Sequence, residues 1–165
     1  MDFPLQKQII NLKEVNQCIE FAKNFENIVC IGVDGPTASG KTVFAELLRD
    51  EIKNLSSKDV KIIPLDGLLI ERKFREKCLN NLKKVKMPFE HEAENHMRFS
   101  NFEELLNFIK LKKVNAFEDK NIVLRDLYSR NDQGRCTGNL KINLTNNTVL
   151  IFEGHYTTRP EFSQI

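Results

Sequence analysis

The sequence predicts an α/β fold, a parallel sheet flanked by helices on both faces. Short apolar runs alternate with longer amphipathic ones, the pattern of strands joined through helical crossovers. Residues 35–42 read GPTASGKT and match the phosphate-binding loop pattern G-x-x-x-x-G-K-[S/T] at every fixed position. An apolar run comes before this loop and an amphipathic segment after it, so strand, glycine loop and helix occur in the order the pattern requires.

From the N-terminus, Asn11 and Glu14 form a capping box for a helix whose apolar stripe runs through Leu12, Val15, Ile19, Ala22 and Phe25. Residues 28–33 (IVCIGV) predict a buried strand. The helix expected after the glycine loop carries Phe44, Leu47, Leu48, Ile52 and Leu55 on its apolar side. Residues 60–65 (VKIIPL) predict a second strand, with Pro64 where a missing N–H does no harm, and Asp66 follows at its carboxyl end. Leu68, Leu69, Phe74, Cys78, Leu82 and Val85 suggest a helical stretch that closes at Met87-Pro88. Ser100 and Glu103 make a second capping box, ahead of a face built from Phe102, Leu105, Leu106 and Ile109. Residues 122–124 suggest a short strand. Asn146-Asn147 reads as a turn before the buried strand TVLIF at 148–152, which ends in Glu153-Gly154. No repeat, low-complexity tract or linker divides the chain, so residues 1–165 are expected to form a single domain.

Composition narrows the classes of function. With 165 residues, 41% of them hydrophobic and 29% charged, the chain is long enough for one domain with a real core. Its net charge of +2 and the placing of its lysine clusters (Lys83, Lys84, Lys86; Lys110, Lys112, Lys113) on solvated helix faces predict no nucleic-acid partner. Cys18, Cys30, Cys78 and Cys136 are scattered, without zinc spacing, so reduced thiols are expected. No apolar stretch approaches the ~20 residues that span a bilayer, and a soluble, cytoplasmic protein without a membrane partner is the expectation. Self-association stays open.

The candidate nucleotide-binding residues are Gly35, Pro36, Thr37, Ala38, Ser39, Gly40, Lys41, Thr42 and Val43. Gly35 and Gly40 allow a tight turn that brings successive N–H groups and the positive end of the following helix up to an anion. Lys41 would reach terminal phosphates and the Thr42 hydroxyl would take a place on Mg²⁺. In parallel sheets, ligands bind beyond the carboxyl ends of the strands. Asp66 and Glu153 fall there, where two carboxylates can hold Mg²⁺ directly or through water and one can accept a proton from an attacking hydroxyl.

Residues 31–42 (IGVDGPTASGKT), Asp66, Ser129-Arg130 and residues 150–154 (LIFEG) together resemble the uridine kinase and phosphoribulokinase family, across most of the chain. The LIFEG strand is the most discriminating piece, since many phosphate-loop proteins carry Asp where it has Glu. The resemblance implies the P-loop nucleoside triphosphate hydrolase fold, with ATP and Mg²⁺ as cofactors and a small-molecule hydroxyl acceptor. It casts Asp66 as catalytic base, Lys41 as the stabiliser of charge on the transferred group, and Thr42, Asp66 and Glu153 as metal-binding residues. Tyr128 and Arg130 would line the acceptor pocket, with Tyr128 standing where uridine kinases carry His. Glu92, within residues 89–94 (FEHEAE), aligns loosely with a substrate-binding stretch, and Leu124, Arg125 and Asp126 replace the residues that precede the His-Ser-Arg motif. Family members continue past LIFEG into further strands and an arginine-bearing lid, so the domain is expected to be incomplete at its C-terminus. The expected function is that of an ATP-dependent kinase transferring the γ-phosphoryl group to a hydroxyl of a nucleoside or related small molecule. The alternative is a nucleotide-binding module without phosphotransferase activity.

Overall fold

The computed structural model describes residues 12–85, 100–112 and 119–154. Three strands, β1 (Val29–Val33), β2 (Asp59–Pro64) and β5 (Thr148–Glu153), form a parallel sheet in the order β1-β5-β2. All six residues of the central strand β5 are buried, which accounts for its unbroken apolar run. Val33 and Pro64 both pair with Glu153, so the three strands end level with one another. That register delivers the glycine loop, Asp66 and Glu153 to a single edge of the sheet.

Alternation along the strands divides the core in two. On one face, Val149 and Ile151 of β5 pack with Val29, Val33 and Val60 against Ile19 and Ala22 of α1 (Leu12–Asn24) and against Ala45, Leu48 and Ile52 of α2 (Lys41–Leu55). On the other face, Leu150 and Phe152 meet Phe102, Leu105 and Ile109 of α4 (Ser100–Lys112). A hairpin of β3 (Lys120–Ser129) and β4 (Arg135–Leu144) completes this second layer with Ile122, Leu124, Ile142 and Leu144. The remaining helix is α3 (Arg72–Val85).

Several expectations are corrected. The predicted strand at 122–124 is ten residues long and pairs antiparallel with β4, which the sequence reading did not anticipate. β4 does alternate apolar and polar residues (Cys136, Leu140, Ile142, Leu144), but Gly138 breaks the stripe and only its last residues are fully buried. The hairpin register shifts between Leu124 and Leu127, where Asp126 adopts φ 54°. Among the described strands β1 lies at an edge, with Cys30 and Ile31 only half-buried and Gly32 exposed. Leu47 and Leu55 of α2 and Phe25 beyond α1 face solvent, and the buried stripe of α2 is Ala45, Leu48 and Ile52. Leu68 and Leu69 are not in a long helix: residues Leu65–Leu68 form a 3-10 turn, α3 starts afresh at Arg72, and Phe74 is exposed. Asn11 and the Met87-Pro88 stop lie outside the described residues, as do the side chains of Cys78, Leu82 and Val85.

Candidate active site

The loop between β1 and α2 has the backbone that its glycines demand. Gly35 and Gly40 adopt φ 154° and 83°, and Ala38 between them sits at φ 61°. The φ of Gly35 is one that L side chains rarely adopt, and a Cβ there would lie 2.9 Å from the Ser39 hydroxyl, so the turn favours glycine. Asp34 accepts a 2.6 Å hydrogen bond from the Gly35 N–H, and the Ser39 N–H donates to the Pro36 carbonyl at 3.3 Å. Lys41 folds back over the loop, donating to the carbonyls of Gly35 and Pro36 at 2.9 and 2.8 Å. The loop is thereby held in its curled form, with the N-terminus of α2 behind it.

Across the loop, Glu153 is buried at the end of β5. The Thr42 hydroxyl lies 3.4 Å from both of its carboxylate oxygens. Burial pushes the Glu153 carboxyl above its ordinary value and the nearby Asp66 charge adds to this, while Thr42, Lys41 and Arg130 pull the other way. Gly154 next to it adopts φ 146°, and a Cβ there would come within 2.9 Å of Leu65 Cβ, so the strand end packs directly on the 3-10 turn. The same turn carries Asp66, which forms an ion pair with Arg130 from the β3–β4 turn. The Arg130 side chain is 74% exposed, so this pair contributes only about 0–1 kcal/mol and opens readily to a ligand.

These groups surround one cleft of about 550 Å³. Thr37, Ala38, Ser39, Gly40, Lys41, Thr42 and Val43 form its floor, and Asp66, Glu153 and Arg130 stand over them. Tyr128 lines a neighbouring pocket of about 360 Å³ instead. Glu92 lies outside the described residues. Two arginines at the site escaped the sequence reading. Arg75 lines both cavities, and Arg72 lines the outer one. Their spacing at the start of a helix just beyond Asp66 was a usable signal, hidden in a stretch (ERKFREK) that reads as solvated mixed charge.

The donor set suits a hard divalent cation. A hydroxyl and a carboxylate lie side by side at the end of a phosphate loop, with a second carboxylate in the same cleft. Among the described residues no group of three or more His, Cys, Asp or Glu side chains could hold a metal by itself. Mg²⁺ sites of the phosphoryl-transfer kind take the rest of their ligands from nucleotide phosphates and water.

No family profile matches the chain, and no curated protein matches it in sequence. Solved structures do match. A possible uridine kinase from Bacillus stearothermophilus superposes with a TM-score of 0.60 over 93% of this chain and 76% of its own, at 17% identity. The fold is that of a P-loop kinase. A D-glycerate 3-kinase from Cryptococcus neoformans var. grubii matches with a TM-score of 0.52 over 86% of this chain, at 20% identity. A provisionally assigned fructose transport system kinase from Silicibacter sp. TM1040 gives 0.53 over 90%, at 18% identity. The chain spans 51% and 65% of these last two kinases. At such identities it is the P-loop kinase architecture that is shared, while the acceptors named for these proteins differ from one another.

Proposed function

We propose that the protein is an ATP-dependent kinase that transfers the γ-phosphoryl group to a hydroxyl of a nucleoside or related small molecule. The observation that carries this reading is the convergence of the phosphate loop, Asp66 and Glu153 on one cleft that opens into a second pocket. A purely nucleotide-binding module has no need of a second carboxylate, Asp66, beside the phosphate loop in that cleft.

In this reading the loop N–H groups and Lys41 hold the nucleotide phosphates, Lys41 exchanging its carbonyl partners for phosphate oxygens. Thr42 and Glu153 would hold Mg²⁺, which when bound supplies charge neutralisation at the transferring phosphate. Arg130, drawn toward the acceptor, releases Asp66 to take the hydroxyl proton. The acceptor oxygen bonds to the γ-phosphorus as the bond to the bridging oxygen of ADP breaks. Most of the catalysis is positioning and electrostatic stabilisation, which side chains already fixed by the sheet edge can provide.

Titration calorimetry with a non-hydrolysable ATP analogue and Mg²⁺ tests the first half. Binding is expected for the wild type and is lost in Lys41→Ala. Asp66→Asn is expected to keep nucleotide affinity but to lower acceptor-dependent ADP release by about 10²- to 10⁴-fold, the contribution of a positioned base. Nucleotide binding without acceptor-dependent release in the wild type would favour the binding-module alternative.

A further inference from the structure

The outer pocket is lined by Leu69, Arg72, Arg75, Glu76, Tyr128 and Arg130, three guanidinium groups against one carboxylate. Leu69, Arg75 and Arg130 also line the phosphate-loop cleft, so the two cavities adjoin. The arginines are set by the fold. The Arg72 N–H donates to the Gly134 carbonyl at 3.0 Å, which ties the start of α3 to the hairpin turn. Arg75 donates from Nε to the Ile70 carbonyl at 3.1 Å and lies over the Tyr128 ring, 4.7 Å from its centroid. Among the described residues neither Arg72 nor Arg75 is in an ion pair.

This chemistry does not suit a neutral acceptor. A nucleobase is recognised by stacking and by hydrogen bonds that alternate donor and acceptor, yet one face of Tyr128 is already covered by a cation. An excess of guanidinium groups offers donors only, in the planar fork that matches an oxyanion. Arg130, which lines both cavities, pairs with Asp66 in the phosphate-loop cleft, so the outer pocket adjoins the proposed base.

We propose that the phosphoryl acceptor carries an anionic group, a carboxylate or a phosphate ester, held by Arg72 and Arg75 while its hydroxyl faces Asp66. The assignment rests on the kinase reading above and, among the small molecules it allows, selects hydroxy acids or sugar phosphates over a nucleoside.

The test is NMR of the arginine Nε–H groups, with the phosphate loop saturated by a non-hydrolysable ATP analogue and Mg²⁺. The Arg75 signal is assigned by its loss in Arg75→Gln. Inorganic phosphate and acetate are then titrated separately. At least one is expected to shift the Arg75 signal saturably, and Arg72→Gln should weaken that response about tenfold, equivalent to ~1.4 kcal/mol. A response to phosphate alone identifies a phosphorylated acceptor, and a response to acetate a carboxylate. If neither anion moves the Arg75 signal while the nucleotide analogue binds, the anionic acceptor is overturned and the kinase reading stands. If the analogue itself fails to bind, the kinase reading falls and the acceptor assignment falls with it.

Discussion

Glu153 meets two opposing demands. Its position at the end of the central strand buries it, and burial first, then the Asp66 charge, raises its carboxyl above the ordinary value. The folded chain therefore holds this proton more tightly than the unfolded chain does. Its contribution is favourable at low pH and is lost as pH rises from the ordinary carboxylate value through the raised one. Glu153→Gln removes that loss, and among the described residues the side-chain hydrogen bond it disturbs is the long 3.4 Å contact to Thr42. The variant is expected to melt above wild type at neutral pH, with the gap closing as pH falls toward the carboxylate range. Melting curves across that interval check the sign, and a gap that widens in acid would contradict it. The same substitution should weaken Mg²⁺-dependent nucleotide binding, so at this residue stability and proposed function pull apart.

At the scale of elements, helical periodicity was read correctly in kind and less well in phase. Phe102, Leu105 and Ile109 of α4 are fully buried as their spacing predicts, and Phe102 sits 6.4 Å from the Phe152 ring on β5. In α2 the stripe drawn through Leu47 and Leu55 was too wide, because Ala45, Leu48 and Ile52 are the buried residues and Phe44 packs beside them. The contrast gives a paired prediction for urea unfolding. Phe102→Ala should cost about 3–5 kcal/mol by opening a cavity between α4 and the sheet. Leu47→Ser, at a side chain already 63% exposed, should stay within about 0.5 kcal/mol. Comparable losses in both would mean that the assignment of the buried face is wrong. The hairpin was the element least legible, because half of β4 lies near solvent and its alternation is interrupted by glycine.

For the whole molecule, a ligand bound at the sheet edge is linked to both core layers, since that edge is built by β1, β2 and β5 together. An ATP analogue with Mg²⁺ at ~100 times its Kd should therefore add about 2.7 kcal/mol to stability. In a chain of 165 residues that raises Tm by about 5–10 °C, a shift expected to vanish in Lys41→Ala. A melting scan of both proteins with and without the analogue reads it directly. The sequence by itself determined the glycine loop, the strand that leads to Asp66, the strand that ends in Glu153, and the α/β class, because each depends on neighbours within one turn or one strand. Only the tertiary structure decided which faces are buried, that β3 and β4 form a hairpin, and that Arg72 and Arg75 share a pocket with Tyr128 and Arg130. Those last residues come together across more than fifty positions of chain where the start of α3 meets the β3–β4 hairpin, the Arg72 N–H on the Gly134 carbonyl and Arg75 over the Tyr128 ring. No local pattern of residue types encodes a meeting whose partners are chosen by the shape of the core between them.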